Sequence, residues 1–262
     1  MADTPPRDAS PFFVGAGLKM YLDHATTVSW ARALRDLVNE HPALTSGVAE
    51  LFVLPSHVSL DAVARELAGS RIGLGGQDLS DAARGPFTGE VSGDDLAALG
   101  CGYVEIGHAE RRERHAESDD AVARKVERAL DAGLVPIVCV GERDRLAPRD
   151  AAEFCRRQVA LALARVPENA SGSILIAYEP IWAIGAPDPA GPEHIVTVCR
   201  ALGEELARHA PRLVTAVLYG GSARPGMLDE LDASVQGLFI GRASHDVNGV
   251  RAVLDDVLEK AA

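Results

Sequence analysis

A glutamate stands where a buried strand is predicted to end. The apolar run Ser173–Ala177 is typical of a strand inside a parallel sheet, and Glu179 follows it closely. A carboxylate at such a position is a candidate general base. The residues after it combine a stiffening proline with apolar side chains and a final Gly185, which suits a lid that closes over a pocket. This predicted lid comprises Pro180, Ile181, Trp182, Ala183 and Ile184.

Other predicted strands also end in polar or glycine-rich sequences. Each group is ordinary by itself, because a single histidine is usually structural, a lysine usually lies at the surface and a Gly-Gly pair usually forms a turn. At one edge of a parallel barrel, however, all of them would meet Glu179. These strand-end residues are Gly17, Lys19, His108, Glu110, Gly220, Gly221, Ser222, Gly241 and Arg242.

Together these residue types indicate proton abstraction beside a carbonyl group. Glu179 can remove a proton from carbon, and His108 and Lys19 can stabilise the oxyanion that develops. The glycines after the seventh and eighth predicted strands let backbone N–H groups approach an anion, and the helix N-termini that follow favour a phosphate. The sequence has no metal-ligand spacing, so we expect neither a metal nor another cofactor. The expected reaction is therefore enediolate chemistry on a small phosphorylated sugar.

Strands and helices alternate along the whole chain. Short apolar runs are each followed by an amphipathic segment with helical spacing, and this alternation predicts a parallel sheet. Eight such units in 262 residues favour a single-domain (β/α)8 barrel over residues 12–262, with a flexible tail at residues 1–11. A doubly wound open sheet is the alternative, although no glycine-rich dinucleotide motif follows the first strand. The predicted strands are Phe12–Ala16, Ala49–Leu54, Arg71–Gly75, Tyr103–Ile106, Leu134–Val140, Ser173–Ala177, Leu213–Leu218 and Val235–Ile240.

The composition narrows the class of protein. Lysine and arginine number 26 against 38 acidic residues, a net charge of −12, which argues against a nucleic-acid partner and against a membrane surface. The first ten residues lack an apolar signal core, and no apolar run is long enough to span a bilayer, so we expect a cytoplasmic protein. We expect its four cysteines to be reduced and mostly buried.

The motifs resemble those of the triosephosphate isomerase family, in the right order from about residue 12 to about residue 258. The resemblance lies in the first strand with its lysine, the histidine motif, the glutamate with its lid, the phosphate loop and a protruding loop. These segments are 13–20, 105–112, 178–185, 218–222 and 85–90. The resemblance implies the barrel fold, an aldose–ketose isomerase, a phosphosugar substrate and a homodimer.

The resemblance also implies a role for each matching position. Glu179 would shuttle a proton between adjacent carbons, and His108 would be a neutral electrophile with a lowered pKa. Lys19 would offset the negative charge of the substrate and pair with Glu110 before the substrate arrives. Ile184 would press the lid onto Glu179, and Thr88 would complete the site of a partner subunit. Backbone N–H groups for the phosphate would come from Gly185, Ser222, Gly241 and Arg242.

Two departures from the family pattern lie where the substrate would react. The family has asparagine where this chain has Gly17, and the loss of an essential oxyanion donor would cost roughly 10²- to 10³-fold in rate. Phe239 stands where the family has a leucine packed over the glutamate. Gly17 also opens space beside the reacting carbons.

Further departures surround the site. Pro187 should stiffen the far hinge of the lid. Arg242 replaces a glycine of the phosphate site, which would cost about 1 kcal/mol or more if the position requires a positive φ; its guanidinium can instead add a phosphate contact. Leu18, Tyr21 and Asp78 also differ from the family pattern.

Three hypotheses follow from these motifs and their departures. The first is an isomerase of dihydroxyacetone phosphate and glyceraldehyde 3-phosphate. The second uses the same mechanism on a four-carbon ketose phosphate such as erythrulose phosphate, for which Gly17 would make room. The third is a non-catalytic phosphosugar-binding protein that has kept the pocket.

Overall fold

Eight parallel strands close into a barrel in the computed structural model, which describes residues 11–186 and 189–261. The strands follow one another around the barrel in chain order, and β1 pairs with both β2 and β8. The strands are β1 Phe12–Gly17, β2 Ala49–Leu54, β3 Ile72–Gly76, β4 Tyr103–Ile106, β5 Val135–Val140, β6 Ser173–Tyr178, β7 Val214–Tyr219 and β8 Gly237–Ile240. The predicted (β/α)8 barrel is therefore confirmed, and the open sheet was wrong.

Helices cover the outside of the barrel. They are α1 His24–Val38, α2 Pro42–Thr45, α3 Leu60–Leu67, α4 Gly93–Ala98, α5 Ala109–Arg114, α6 Asp119–Asp131, α7 Pro148–Ala162, α8 Pro192–His209 and α9 Val247–Ala261. The helix α6 begins after Ser118, whose side chain accepts a hydrogen bond from the Ala121 N–H. Gly100 and Gly133 follow the ends of α4 and α6 with φ of 86° and 74°, which is typical of glycines that end helices.

Small errors in the predicted strands arise at their ends. The third strand starts and ends one residue later than predicted, and the eighth begins at Gly237 instead of Val235. The first, fifth, sixth and seventh strands also differ from their predicted bounds by one residue at one end or both. At the eighth strand the apolar run begins at the buried residue Val235, ahead of the strand itself, so hydrophobicity alone does not mark that boundary. The tail at residues 1–10 lies outside the described residues and stays a prediction.

Two apolar layers hold the barrel together. One lies between the strands and the helices, and the other fills the barrel interior with side chains such as Phe13, Phe52 and Leu175. Gly15 makes room for this interior, because a Cβ atom there would lie 2.5 Å from the ring of Phe239 and 2.6 Å from that of Phe52. All four cysteines are buried and free, as expected. Within the described residues, no helix combines the length and the apolar character that a membrane crossing requires.

Candidate active site

The carboxyl ends of the strands surround one cavity of about 230 Å³. Glu179 follows β6, His108 lies two residues after β4, and Lys19 lies two residues after β1, so three separate strands bring these side chains together. Of the other residues predicted for the site, the cavity is lined by Gly17, Ile184, Gly185, Gly220, Ser222, Gly241 and Arg242.

Glu179 faces His108 directly. Its Oε2 atom lies 3.3 Å from Nε2 of His108, and the Glu179 side chain is only 8% exposed. The backbone N–H of Glu179 donates to the carbonyl oxygen of Val140 at 2.8 Å, which continues the β5–β6 ladder and fixes the turn. Oε2 is buried without a hydrogen-bond partner among the described residues. Because buried carboxylate oxygens are normally paired, this atom is placed to take a proton from a ligand.

Burial raises the pKa of Glu179 to about 7, against the opposing effect of the nearby Lys19 ammonium. A carboxylate in bulk water is too weak a base to remove a proton from carbon at a useful rate. With a pKa near the pH of a cell, a substantial fraction of the Glu179 carboxyl group is ionised, and the carboxylate is a stronger base than one in bulk water. Both properties favour general-base catalysis.

The hydrogen bonds of His108 determine its tautomer. Its Nδ1 atom accepts a hydrogen bond of 3.1 Å from the backbone N–H of Glu110, so the proton of the neutral ring lies on Nε2, which faces the cavity. Burial, and secondly the charge of Lys19, lower the pKa of His108 to about 4. At neutral pH the ring is therefore an uncharged donor, as the resemblance implied.

Lys19 is held in an unusual backbone conformation. Its φ of 49° is rare for a residue with a side chain and is typical of strained positions at functional sites. The ammonium donates to Oε1 of Glu110 at 2.8 Å, which is the ion pair that the resemblance implied. Burial lowers the pKa of Lys19, but its bond to Glu110 and the charge of Glu179 outweigh this effect, so the pKa is raised and the lysine stays charged.

The glycines after β7 make room for the glutamate and its turn. A Cβ atom on Gly220 would lie 2.5 Å from Oε1 of Glu179, and one on Gly221 would lie 3.0 Å from Cδ of Pro180. Around Gly241, in contrast, no atom of the described residues apart from its chain neighbours lies within 4 Å of that position, which leaves space for a ligand beside its backbone. The N–H of Ser222 donates to the carbonyl of Gly220 at 3.0 Å, and it would have to exchange this bond for one to a phosphate.

The predicted lid runs from Pro180 to Ile184 and contains a short helical turn, Ile181–Ala183. The indole N–H of Trp182 donates to the buried carboxylate of Glu142 at 2.8 Å, which anchors the near hinge. The Ser222 hydroxyl donates to the carbonyl of Ala183 at 2.8 Å, so the phosphate loop and the lid are in contact. Pro187, predicted to stiffen the far hinge, lies outside the described residues.

The comparisons with known proteins agree with this geometry. The triosephosphate isomerase family profile matches residues 12–257. The chain belongs to the triosephosphate isomerase family. It is 41% identical over 244 residues to the L-erythrulose-1-phosphate isomerase of Pectobacterium atrosepticum, covering 93% of this chain and 94% of that protein. It is also 41% identical over 239 residues to the triosephosphate isomerase of Chloroflexus aurantiacus, covering 88% and 93%, and 36% identical over 255 residues to that of Symbiobacterium thermophilum, covering 95% and 98%.

Arg242, which departs from the triosephosphate isomerase family pattern, is unstrained. The non-glycine residues with positive φ are Lys19, Ala116 and Ser222, so within the described chain Arg242 does not carry the strain that a positive φ would impose. Its Nη2 atom instead donates to the carbonyl oxygen of Gly185 at 2.9 Å. The guanidinium therefore connects the loop after β8 to the end of the lid, at the rim of the predicted phosphate site.

Sequence reasoning assigned no role to Glu105, although it lies in the family's histidine motif. Residues 103 and 105 share one face of β4, and Tyr103 points into the barrel interior, so Glu105 does too. Gly17 and Phe239 line the same cavity, and we call these three residues, Gly17, Glu105 and Phe239, the inner wall. A charged residue inside the apolar run of β4 was the signal that could have revealed Glu105.

Thr88, predicted at a subunit interface of the family's kind, is exposed and does not line the cavity. It lies on the protruding loop at residues 85–90, which is exposed in this single chain. Its role at an interface stays a prediction.

Proposed function

We propose that this phosphosugar isomerase interconverts dihydroxyacetone phosphate and glyceraldehyde 3-phosphate. The observation that carries the proposal is the pair formed by Glu179 Oε2 and His108 Nε2, which are 3.3 Å apart and open to the same cavity. A base and a neutral donor at this separation can address the two adjacent carbons of an α-hydroxy carbonyl compound.

The reaction needs only the groups in this cavity. Glu179 removes a proton from the carbon beside the carbonyl, and the carbonyl oxygen becomes an enediolate oxygen. The Nε2–H of His108 donates to the enediolate, and the Lys19 ammonium offsets its negative charge. A proton passes between the two oxygens, and Glu179 returns the carbon-bound proton to the neighbouring carbon. Atoms and electrons balance without an oxidant or reductant.

The phosphate would lie at the opposite side of the cavity. Gly241 offers an open backbone there, and the Arg242 guanidinium stands beside it at the rim. Gly185, at the end of the lid, has a φ of 71°, a conformation that permits close approach of its backbone to an anion. A closed lid would exclude water and so strengthen the interactions of His108 and Lys19 with the enediolate.

A four-carbon ketose phosphate is the second candidate substrate. It is favoured by the absence of an amide side chain at Gly17 and by the similarity to a protein named L-erythrulose-1-phosphate isomerase. Such a ketose carries a hydroxymethyl group on the carbon that loses its proton, in place of one hydrogen of dihydroxyacetone phosphate. The carbonyl then moves to an internal carbon, so the product is again a ketose phosphate.

Side-by-side kinetics test both candidates. The purified protein should be given dihydroxyacetone phosphate and L-erythrulose 1-phosphate under the same conditions, and kcat/KM compared. Turnover of dihydroxyacetone phosphate supports the primary proposal. A much larger kcat/KM for L-erythrulose 1-phosphate would replace the primary proposal by the second candidate. Binding of both without turnover would return the non-catalytic alternative, which the isomerase names of the relatives disfavour.

We also propose that two copies associate through the loop at residues 85–90, as the resemblance implied, in the cytoplasm. Phe87, an apolar side chain on this loop, is 46% exposed, which supports a partner that covers it. Analytical ultracentrifugation should give the mass of a dimer, and a monomer at micromolar concentration would contradict this proposal.

A further inference from the structure

Glu105 places a carboxyl group among apolar side chains of the barrel interior. It is 7% exposed, and the interior side chains nearest in the strand ladder are Tyr103, Ile137 and Cys139. Its one hydrogen bond within the described chain comes from the Cys139 thiol, with Sγ 3.6 Å from Oε1. A thiol is a weak donor, so the carboxyl group is poorly satisfied.

Such a group does not stabilise the fold. Burying a carboxyl group with one weak partner is unfavourable, and an apolar side chain would suit this layer of the barrel better. The proposed proton transfer does not require it either, because Glu179, His108 and Lys19 supply the base, the donor and the charge. A buried polar group of this kind indicates a partner that arrives with a ligand.

The position of Glu105 shows which part of a ligand it can reach. It lines the same cavity as Glu179, and one carboxylate oxygen of each lies with a ring nitrogen of His108 in a cluster whose atoms are all within 4.8 Å of one another. The carbon that gives up its proton must approach Glu179 to about 3–3.5 Å. A hydroxyl oxygen two bonds from that carbon can therefore lie within hydrogen-bond distance of Glu105.

We propose that Glu105 binds the hydroxymethyl hydroxyl of a four-carbon 2-ketose 1-phosphate and selects this substrate over the triose phosphates. The assignment rests on the proposed isomerase function and deepens its second candidate. A triose phosphate has no such hydroxyl group, so it leaves Glu105 without a partner. Glu105 is thus a specificity-determining residue on the inner wall.

The chemistry of the two groups fits. A hydroxyl group can accept from a protonated carboxyl group and donate to an ionised one. Burial, and secondly the negative charge of Glu179, raise the pKa of Glu105 to about 8. At neutral pH the carboxyl group of Glu105 is therefore protonated and can donate a hydrogen bond. Of the two carboxyl groups, Glu105 and Glu179, it is then Glu179 that is ionised.

The rest of the inner wall agrees with this assignment. Gly17 presents no side chain to the cavity, and the ring of Phe239 limits the space beside it, since a Cβ atom on Gly17 would lie 3.3 Å from Cζ of Phe239. The space beside Gly17 is therefore bounded by an apolar ring, in a cavity that Glu105 also lines, which suits a short hydroxymethyl arm better than a larger substituent.

A divalent cation is a less fitting occupant of this cluster. Glu105, His108 and Glu179 could each offer a ligand atom. The positive charge of Lys19, however, acts on all three groups and lowers the pKa of Glu105, Glu179 and His108. A second cation would be repelled by this ammonium group.

The test compares two replacements of Glu105. Glu105→Ile removes the polar group and fits the interior of a strand, whereas Glu105→Gln keeps the shape and a hydrogen-bonding group. We expect Glu105→Ile to lower the ratio of kcat/KM for L-erythrulose 1-phosphate over dihydroxyacetone phosphate by roughly 10- to 100-fold. Glu105→Gln should lower this ratio less, and the Tm of Glu105→Ile should equal or exceed that of the wild type.

A control variant separates this effect from the general loss of a buried carboxylate. Glu205 on α8 is 5% exposed and pairs with Arg156 far from the cavity, so Glu205→Gln should leave the substrate ratio at its wild-type value. Equal losses of Glu105→Ile on both substrates, an unchanged ratio, or a marked fall in its Tm would each overturn the assignment. A wild-type protein that turns over neither sugar would instead defeat the proposed isomerase function itself, and the assignment with it.

Discussion

Two groups of residues in one cavity differ in how they compare with the family. The proton-transfer group, which we define as Lys19, His108 and Glu179, lies in segments that resemble the family motifs, within the residues 12–257 that the family profile matches. The inner wall of Gly17, Glu105 and Phe239 departs from the family pattern at Gly17 and Phe239, and Glu105 brings a carboxyl group into an apolar layer. Under the proposed function, the first group would carry out the chemical step and the second would shape the space for the substrate.

The two groups also differ in what holds their residues in place. The members of the proton-transfer group are positioned by the backbone. The N–H of Glu179 donates to the carbonyl oxygen of Val140, and the N–H of Glu110 donates to Nδ1 of His108. The inner wall is set by the size and polarity of side chains on barrel strands. Small changes there alter the cavity without moving the base or the donor, which is how one mechanism can serve substrates of different length.

Removing the base should have the largest effect. Glu179→Gln keeps the size of the side chain but cannot accept the proton, so kcat should fall roughly 10²- to 10⁴-fold on whichever substrate the wild type turns over. Binding of the substrate, measured by calorimetry, should persist. Retained turnover in this variant would remove Glu179 from the base role, and Glu205→Gln controls for the loss of a distant buried carboxylate.

The pH dependence should follow the same group. Because the pKa of Glu179 is raised to about 7 and the ionised form is the base, kcat/KM should fall about tenfold per pH unit as the pH drops below 7. His108, with a pKa lowered to about 4, stays neutral over this range. The substrate phosphate titrates near pH 6, so the fall should be measured between pH 6 and pH 8. A limb centred near the ordinary pKa of a glutamate would contradict the raised pKa.

The fold could be predicted almost completely from the sequence. Strands and helices alternate with clear periodicity, so all eight strands were predicted, and only some of their ends were misplaced, by one or two residues. The residues of the proton-transfer group were also predictable, because each stands where a strand ends. Their mutual distances were not, since they depend on how separate strands pack around the barrel.

Other features depend on three-dimensional packing that no local pattern reveals. Gly220 and Gly221 were predicted to approach a phosphate, but their lack of side chains also accommodates Glu179 and Pro180. Arg242 would have been strained if its position required a positive φ, but it has none, and its guanidinium contacts Gly185 at the end of the lid. Its predicted contact with phosphate stays a prediction. Glu105 lies within β4 and not after its end, so the strand-end pattern does not reveal it, and its place in the strand turns it into the barrel.

A side chain added at Gly17 of the inner wall should change the preference between the two substrates. Gly17→Asn would place a side chain against Phe239, whose Cζ lies 3.3 Å from the position of a Cβ atom there. We expect the ratio of kcat/KM for L-erythrulose 1-phosphate over dihydroxyacetone phosphate to fall by roughly tenfold or more, because the space for the hydroxymethyl group is lost. Adding Phe239→Leu should relieve the contact and raise triose turnover. Equal losses on both substrates in the double variant would show that cavity volume does not set the choice.

The smallest effect is expected at the rim of the cavity. Arg242→Gly removes the bond from the guanidinium to the carbonyl of Gly185, and because Arg242 does not have a positive φ, glycine gains nothing there by relieving strain. An exposed hydrogen bond of this kind contributes about 0.5–1.5 kcal/mol at most, so kcat/KM should fall only a few-fold. The loss should be the same for both substrates, since the lid and the phosphate are common to them. Arg200→Gly, which breaks a surface ion pair with Asp232, is the matched control and should leave kinetics unchanged. A change in the substrate ratio with Arg242→Gly would show that selection extends beyond the inner wall to the phosphate side of the cavity.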